Sequence, residues 1–149
     1  MRALIQRVLE ASVHIDGKEK STIGEGMLIF IGIEDADNRE DIQYICRKAV
    51  NLRIFDDEKG MMNRSILQTG GEVLVVSQFT LFADTRKGNR PSYLRASKPD
   101  FAIPMYEEFC SSMSRILEQE VKTGEFGADM QVSLVNDGPV TIWIDSKEK

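Results

Sequence analysis

Three patterns alternate along the chain: strict apolar–polar alternation, short all-apolar runs, and apolar stripes at helical spacing. Residues 2–8 and 12–16 alternate and read as strands, with Val13 and Ile15 on one face and Ser12, His14 and Asp16 on the other. Asp16-Gly17 is a turn signal that returns the chain as a hairpin partner over 18–23. Met27–Ile33 and Val73–Val76 are all-apolar runs, the signature of strands buried on both faces. Between them Ile42, Ile45, Cys46 and Ala49 recur at i, i+3, i+4 and i+7, an amphipathic helix opened by an Asp37/Glu40 capping box. Leu52–Phe55 looks extended, Asp56–Gly60 is a charged turn, and Ser65–Leu67 reads as a short strand. A second helix is expected from Asp100 to Lys122, with Met105, Phe109, Met113, Ile116, Leu117 and Val121 as its buried stripe. Pro99 suits its start, Pro104 implies a kink or a start nearer 103, and Gly124 stops it. Met130, Val132 and Leu134 alternate in one closing strand and Val140, Ile142 and Ile144 in another, joined by Asn136-Asp137-Gly138-Pro139 as a turn. The whole, residues 1–149, reads as a single α/β domain with a mixed β-sheet and two main helices. It lacks the regular βαβ alternation of a nucleotide-binding fold.

Composition narrows the class. Hydrophobic residues are 42% and charged residues 29%, ordinary values for a globular domain. No apolar run reaches the length of a membrane span, so no membrane partner is expected. The N-terminus alternates too early and carries too much charge for a secretory signal. Two cysteines, Cys46 and Cys110, fall in helices and make no ligand pair with the single His14, which points to a reducing cytoplasm. The acidic turn at 56–58 lacks the spacing of a calcium loop. The formal net charge of −5 argues against general affinity for nucleic acid.

Two stretches break the pattern. Behind Val73–Val76, the hydrogen-bonding side chains Ser77, Gln78 and Thr80 arrive within four positions before the apolar run resumes. Polar atoms in an apolar frame need partners. They satisfy neighbouring backbone at a strand bend, or they present hydroxyls, an amide and free N–H groups to a ligand. The second is residues 85–98, an aperiodic segment with five positive charges and no negative one. Arg86, Lys87, Arg90, Arg95 and Lys98 there are candidates for phosphate contact, against the simpler reading of a solvated basic loop. No metal cluster, Gly-x-Ser-x-Gly elbow or Cys/His pair accompanies them, and His14 sits poorly for a triad. The chain therefore offers polar groups at a strand end and no evident general base. Such a site only binds, or its substrate supplies the reacting group, or Thr80 is activated by something else.

Ser77-Gln78-Phe79-Thr80-Leu81 resembles the Ser-Gln-x-Thr-Leu motif of the D-aminoacyl-tRNA deacylases, and Asn136-Asp137-Gly138-Pro139-Val140-Thr141 resembles their Asn-x-Gly-Pro-Val-Thr motif. The opening Met1–Val8 and the Asp84–Gly88 segment are similar as well, so the resemblance spans the whole chain. It implies that family's fold and a cytoplasmic homodimer that cleaves the ester between a D-amino acid and the 3′-terminal adenosine of tRNA. Glycine mischarged on tRNA(Ala) is implied as a further substrate. It also implies a site at the dimer interface. There Ser77, Gln78, Phe79 and Thr80 of one subunit meet Gly138 and Pro139 of the other, joined by a cis bond and acting as a chirality filter, with Arg7 in support. No metal or organic cofactor is implied. The ribose 2′-OH would assist, with Thr80 as a nucleophile the rival version. A non-enzymatic RNA-binding module is the alternative from another class, and a small-ester hydrolase using Thr80 is a third.

Overall fold

A computed structural model describes all residues 1–149. The chain is organised by one strand, β1, Arg2–Ile15, which is continuous over 14 residues where the sequence pattern suggested two strands. β2 (Lys18–Ile23) and β3 (Gly26–Gly32) pair antiparallel with its second and first halves. Two short strands, β4 (Phe55–Asp56) and β5 (Met62–Arg64), form a separate hairpin. β6 (Glu72–Ser77) runs parallel to β3, and β7 (Lys122–Thr123) parallel to β6. The last strand, β8, is Gln131–Asp145, and it pairs antiparallel with β1 from end to end. The sheet is mixed, as its patterning implied.

The helices are α1 (Arg39–Asn51), α2 (Ile66–Thr69) and α3 (Pro99–Leu117). α1 starts one residue later than the capping reading. Asn38 accepts from the Glu40 N–H at 2.8 Å, and Asp41 closes the box by accepting from the Asn38 N–H at 2.8 Å. Asp37 is instead buried against the Met1 amine. Ser65–Leu67, expected as a short strand, instead cap and open α2, because Gln68 accepts from the Ser65 N–H at 2.8 Å and Gly70, at φ 71°, caps the end. α3 begins at Pro99 with Pro104 inside it, and stops at Glu118 in the left-handed region, short of Lys122. Its buried face is Ala102, Tyr106, Phe109, Ser112 and Met113, so Ile116, at 41% exposure, is not in the stripe.

α1 and α3 cover one face of the sheet over a core that includes Ile5, Ile29, Ile45, Val75 and Phe109. A smaller core of Val8, Val13, Leu28, Leu74 and Val76 lies under β2 and the first half of β8. Burial pushes the Cys46 thiol up to about 12 and Cys110 up to about 11, so neither is a thiolate at neutral pH. No helix is long and apolar enough to cross a membrane.

Asp41 couples the α1 cap to the C-terminus. Burial opposes its charge, but hydrogen bonds from Lys147 (2.7 Å) and the Asn38 N–H hold its pKa down at about 2. A carboxyl depressed in the folded state stabilises above its unfolded pKa, near 3.8, and loses that stabilisation as pH falls toward 2. Asp41→Asn is expected to lower stability by about 2 kcal/mol at neutral pH. Denaturant melts should show the gap to wild type narrowing from pH 5 downward. A gap independent of pH would remove the ion pair as its cause.

Candidate active site

β6 ends at Ser77, and the chain turns at once. The Gln78 N–H donates to the Ile31 carbonyl at 2.7 Å, the last rung of the parallel β3–β6 pairing. Phe79–Phe82 then form one turn of 3-10 helix, so three of the four motif residues leave the strand in which the sequence placed them. This turn packs on Gly32. A Cβ there would lie 3.0 Å from Leu81 Cβ and 3.1 Å from the Gln78 carbonyl oxygen, so any side chain would push the turn back by a few tenths of an ångström, and glycine permits the close approach. Arg2 fixes the other side: its guanidinium donates to the Leu81 carbonyl at 2.9 Å and to Asp145 at 2.8 Å, and lies over the Phe82 ring. The sequence reading gave Gly32 and Arg2 no such role. A glycine at the end of an all-apolar strand was the available signal, since it marks a place where another backbone can approach closely.

Ser77, Gln78 and Phe79 line a cleft of about 280 Å³ with Ile33, Phe126 and Met130 among its apolar walls. It lies at the carboxyl ends of the parallel strands β3 and β6, where sheet folds open their ligand crevices. Inside the first turn of a 3-10 helix the Phe79 and Thr80 N–H groups have no preceding carbonyl to bond. Gln78 Nε2 donates to Thr80 Oγ1, and no carboxylate or imidazole accepts the Thr80 proton. Phe79 is 55% exposed and meets the Tyr93 ring edge-on at 5.0 Å.

Gly138 and Pro139 sit elsewhere on the same chain. Pairing along β1 and β8 passes from Gln6↔Thr141 to Val8↔Asn136, leaving Asp137–Val140 extruded opposite Arg7. So the segment expected as a hairpin turn is a wide bulge inside one strand. Asn136 staples its neck, donating to the Arg7 and Val140 carbonyls at 3.0 Å each and accepting from Gln6 at 3.0 Å. Thr141 donates to the Pro139 carbonyl at 3.2 Å. The Gly138–Pro139 bond is cis and both residues are exposed. Arg7, 8% exposed, donates to the Ile54 carbonyl at 2.6 Å and pairs with Asp137 (3.0 Å) and Asp56 (3.4 Å). Its Nε–H is not aimed at the Asp137 oxygen, so that contact is an ion pair without a hydrogen bond.

Register measures the gap between the two motifs. Ser77 lies in the row Ile31–Ala3–Ile144, and the bulge in the row of Arg7 and Met27. Four residues along β1 are about 13 Å, and three strand spacings from β6 to β8 are about 14 Å. One chain therefore does not bring Gly138-Pro139 to the Ser77–Thr80 turn.

The basic segment is pinned. Asp84 and Ser92 exchange both backbone bonds, Glu34 bridges Ala96, and Ser97 Oγ donates to Asp35 at 2.6 Å. Its five cations divide. Arg86 pairs with Asp84 at 2.5 Å, holding that carboxyl down at about 2, and Arg95 pairs with Glu34 at 3.0 Å. Lys87, Arg90 and Lys98 are exposed and make no ion pair.

The family model described as D-Tyr-tRNA(Tyr) deacylase matches residues 4–145. A D-aminoacyl-tRNA deacylase of Bacteroides thetaiotaomicron is 62% identical over 149 residues, all of this chain and 99% of the relative. One of Porphyromonas gingivalis is 60% identical over the same span and coverage. A solved structure titled c-Myc DNA Unwinding Element Binding Protein superposes with a TM-score of 0.91 at 39% identity, over 97% of this chain and 98% of the other. A probable eukaryotic D-amino acid tRNA deacylase superposes at 0.82, over 96% and 97% of the two chains; at 17% identity it shows the fold alone.

Proposed function

Because the chain belongs to the D-Tyr-tRNA(Tyr) deacylase family, we propose that it proofreads chirality on charged tRNA through a site completed by a second copy of itself. Its activity is that of an ester hydrolase acting on D-aminoacyl-tRNA. The Ser77–Thr80 turn receives the 3′-terminal aminoacyl-adenosine, with the Phe79 and Thr80 N–H groups toward the developing oxyanion. Gly138-Pro139 of the partner closes the cleft on the side where an L side chain would project.

The observation that carries this reading is the extruded bulge. It is exposed backbone, stapled by Asn136 and braced by Arg7, yet too far along the sheet to serve its own Ser77–Thr80 turn. β8 is moreover a 15-residue strand with β1 on one side and no strand on the other, and it exposes Val135 and Trp143 at 44% and 48%. Such an edge calls for cover, and a second β8 is self-complementary cover. Glycine has no side chain to reject, so glycyl-tRNA(Ala) belongs to the same substrate set.

Hydrolysis consumes one water. Its oxygen bonds to the ester carbon, the bond to O3′ breaks, and the proton ends on O3′. The ribose 2′-OH, vicinal to that oxygen, is the relay, and no protein base is required. The test is one assay of D-aminoacyl-tRNA, L-aminoacyl-tRNA and a free D-amino-acid ester. Cleavage of the first alone is expected. Equal cleavage of D and L substrates would overturn the filter.

The second reading, nucleic-acid binding without turnover, draws on the name of the 39%-identical structure and on the unpaired cations of the basic segment. Its distinguishing result is tight tRNA binding with no cleavage of any ester. Under either reading Lys87 and Arg90 face phosphate. Lys87→Ala with Arg90→Ala should lower the slope of log K against log salt by about 1.4 to 1.8. Arg86→Ala with Arg95→Ala should change it less, because Asp84 and Glu34 already neutralise those two. The reverse order would assign the segment to another partner.

A further inference from the structure

The helical face carries a basic groove that the deacylase chemistry does not use. Of the ten arginines, six are engaged: Arg2, Arg7, Arg53, Arg64, Arg86 and Arg95 each hold a carboxylate, a carbonyl or an amide oxygen. Four guanidinium groups make no hydrogen bond or ion pair, and three of these, Arg39, Arg47 and Arg115, line one groove of about 380 Å³ between α1 and α3. None of its lining residues belongs to the Ser77–Phe79 cleft.

The spacing is regular. Arg39, Gln43, Arg47 and Asn51 follow one another at i+4 and so form one ridge of α1, with Arg39 and Arg47 about 12 Å apart along the axis. Arg115 faces them from α3. Helix stability explains only part of this. Arg115 lies in the last turn of α3, where a cation suits the helix dipole, but Arg39 is the first residue of α1, where a cation opposes it. No acidic side chain lines the groove, and Glu108, one helical turn from it, accepts from the Ser112 hydroxyl at 3.2 Å. Exposed Leu67 and Ile116, at 45% and 41%, flank the guanidinium groups with apolar surface.

Arginine forks match phosphate oxygens geometrically, and a row of them suits more than one phosphate. We propose that the α1–α3 groove is a phosphate-binding site, distinct from the catalytic cleft, that takes successive phosphate groups along the Arg39–Arg47 ridge. The phosphates come from the backbone of the tRNA substrate or from a free phosphorylated molecule. The first source rests on the proposed function; the groove itself does not.

The experiment compares the full chain with an Arg39→Gln, Arg47→Gln double variant and its Arg39→Lys, Arg47→Lys counterpart. Three quantities are read: uncharged tRNA binding from about 50 to 200 mM salt, inorganic pyrophosphate binding by calorimetry, and cleavage of D-aminoacyl-adenosine. If the tRNA backbone occupies the groove, the double Gln variant loses about 1.4 to 1.8 from its salt slope and the Lys variant keeps it. If a free ligand occupies it, pyrophosphate affinity falls at least about tenfold, a change of about 1.4 kcal/mol, and the tRNA slope is unchanged. D-aminoacyl-adenosine cleavage stays at the wild-type rate in both cases. Unchanged slope together with unchanged pyrophosphate binding overturns the proposal. A wild-type chain that cleaves no ester overturns the proposed function and leaves the groove to be judged on its own binding data.

Discussion

Gly138→Ala is expected to lower kcat/KM on D-aminoacyl-tRNA by about ten- to a hundredfold, to reduce the D/L rate ratio, and to lower Tm by a few degrees. The local geometry sets the direction. Gly138 has φ +116°, a conformation L side chains rarely adopt, and an added Cβ would sit 2.9 Å from Val140 Cγ2, 3.0 Å from the Val140 nitrogen and 3.2 Å from Arg7 Nη2. Neither side can yield cheaply. The Val140 carbonyl is held by Asn136, and Arg7 is buried, tied to Ile54, and paired with Asp56 and Asp137. Backbone strain of this kind is about 1–3 kcal/mol, and each 1.4 kcal/mol is about tenfold in rate. The bulge must shift to relieve it, and the filter proposed for it acts through placement: a wall displaced by about 1 Å no longer separates two groups that exchange places on one carbon. Glycyl-tRNA(Ala) separates the two effects. A misplaced wall leaves glycine turnover closer to wild type than D-tyrosyl turnover, whereas loss of the proposed dimer removes both. Wild-type rates on D substrates would remove Gly138 from the site.

The contrast between β6 and β8 shows what the sequence conveyed and what it withheld. Val73–Val76 was legible because a strand buried on both faces writes itself as an unbroken apolar run. The polar cluster after it was legible as an anomaly, but not as a 3-10 turn. That conformation is imposed from outside, by Gly32 below and Arg2 beside it, residues 45 and 75 or more positions upstream of Ser77. β8 misled for a similar reason. Asn-Asp-Gly-Pro between two alternating stretches carries every local mark of a turn. A 14-residue partner, β1, overrides those marks and pairs on both sides of the insert. The Asn136 staple depends on Arg7 and Gln6, which local pattern reading cannot connect to it. In the basic segment charge was visible, but pairing was not: Glu34, which neutralises Arg95, lies 61 residues away. Both motifs could be recognised by resemblance, whereas their separation within one chain is a property of strand register alone.

A substrate ending in 2′-deoxyadenosine is expected to be cleaved at least about a thousandfold more slowly than its ribose counterpart, while Thr80→Ala retains turnover within about tenfold. The pair of results follows from where the proton can go. Thr80 Oγ1 accepts a hydrogen bond from Gln78 and meets no carboxylate or imidazole, so nothing on the protein is placed to deprotonate it. His14 pairs with Glu19 and Gln131 at the opposite end of β1, and both thiols are held protonated by burial. A hydroxyl without a base is a weak nucleophile near neutral pH. The ribose 2′-OH is delivered vicinal to the breaking bond, and well-oriented intramolecular groups reach effective molarities of about 10⁵–10⁸ M. Removing it takes away more than removing Thr80, whose loss leaves one Gln78 N–H to water. Single-turnover rates on the two substrates, with wild type and Thr80→Ala, give the four values needed. Comparable cleavage of the deoxy substrate would remove the 2′-OH from the chemistry, and an acyl group trapped on Thr80 would make Thr80 the nucleophile, with a proton acceptor other than the Gln78 amide beside it.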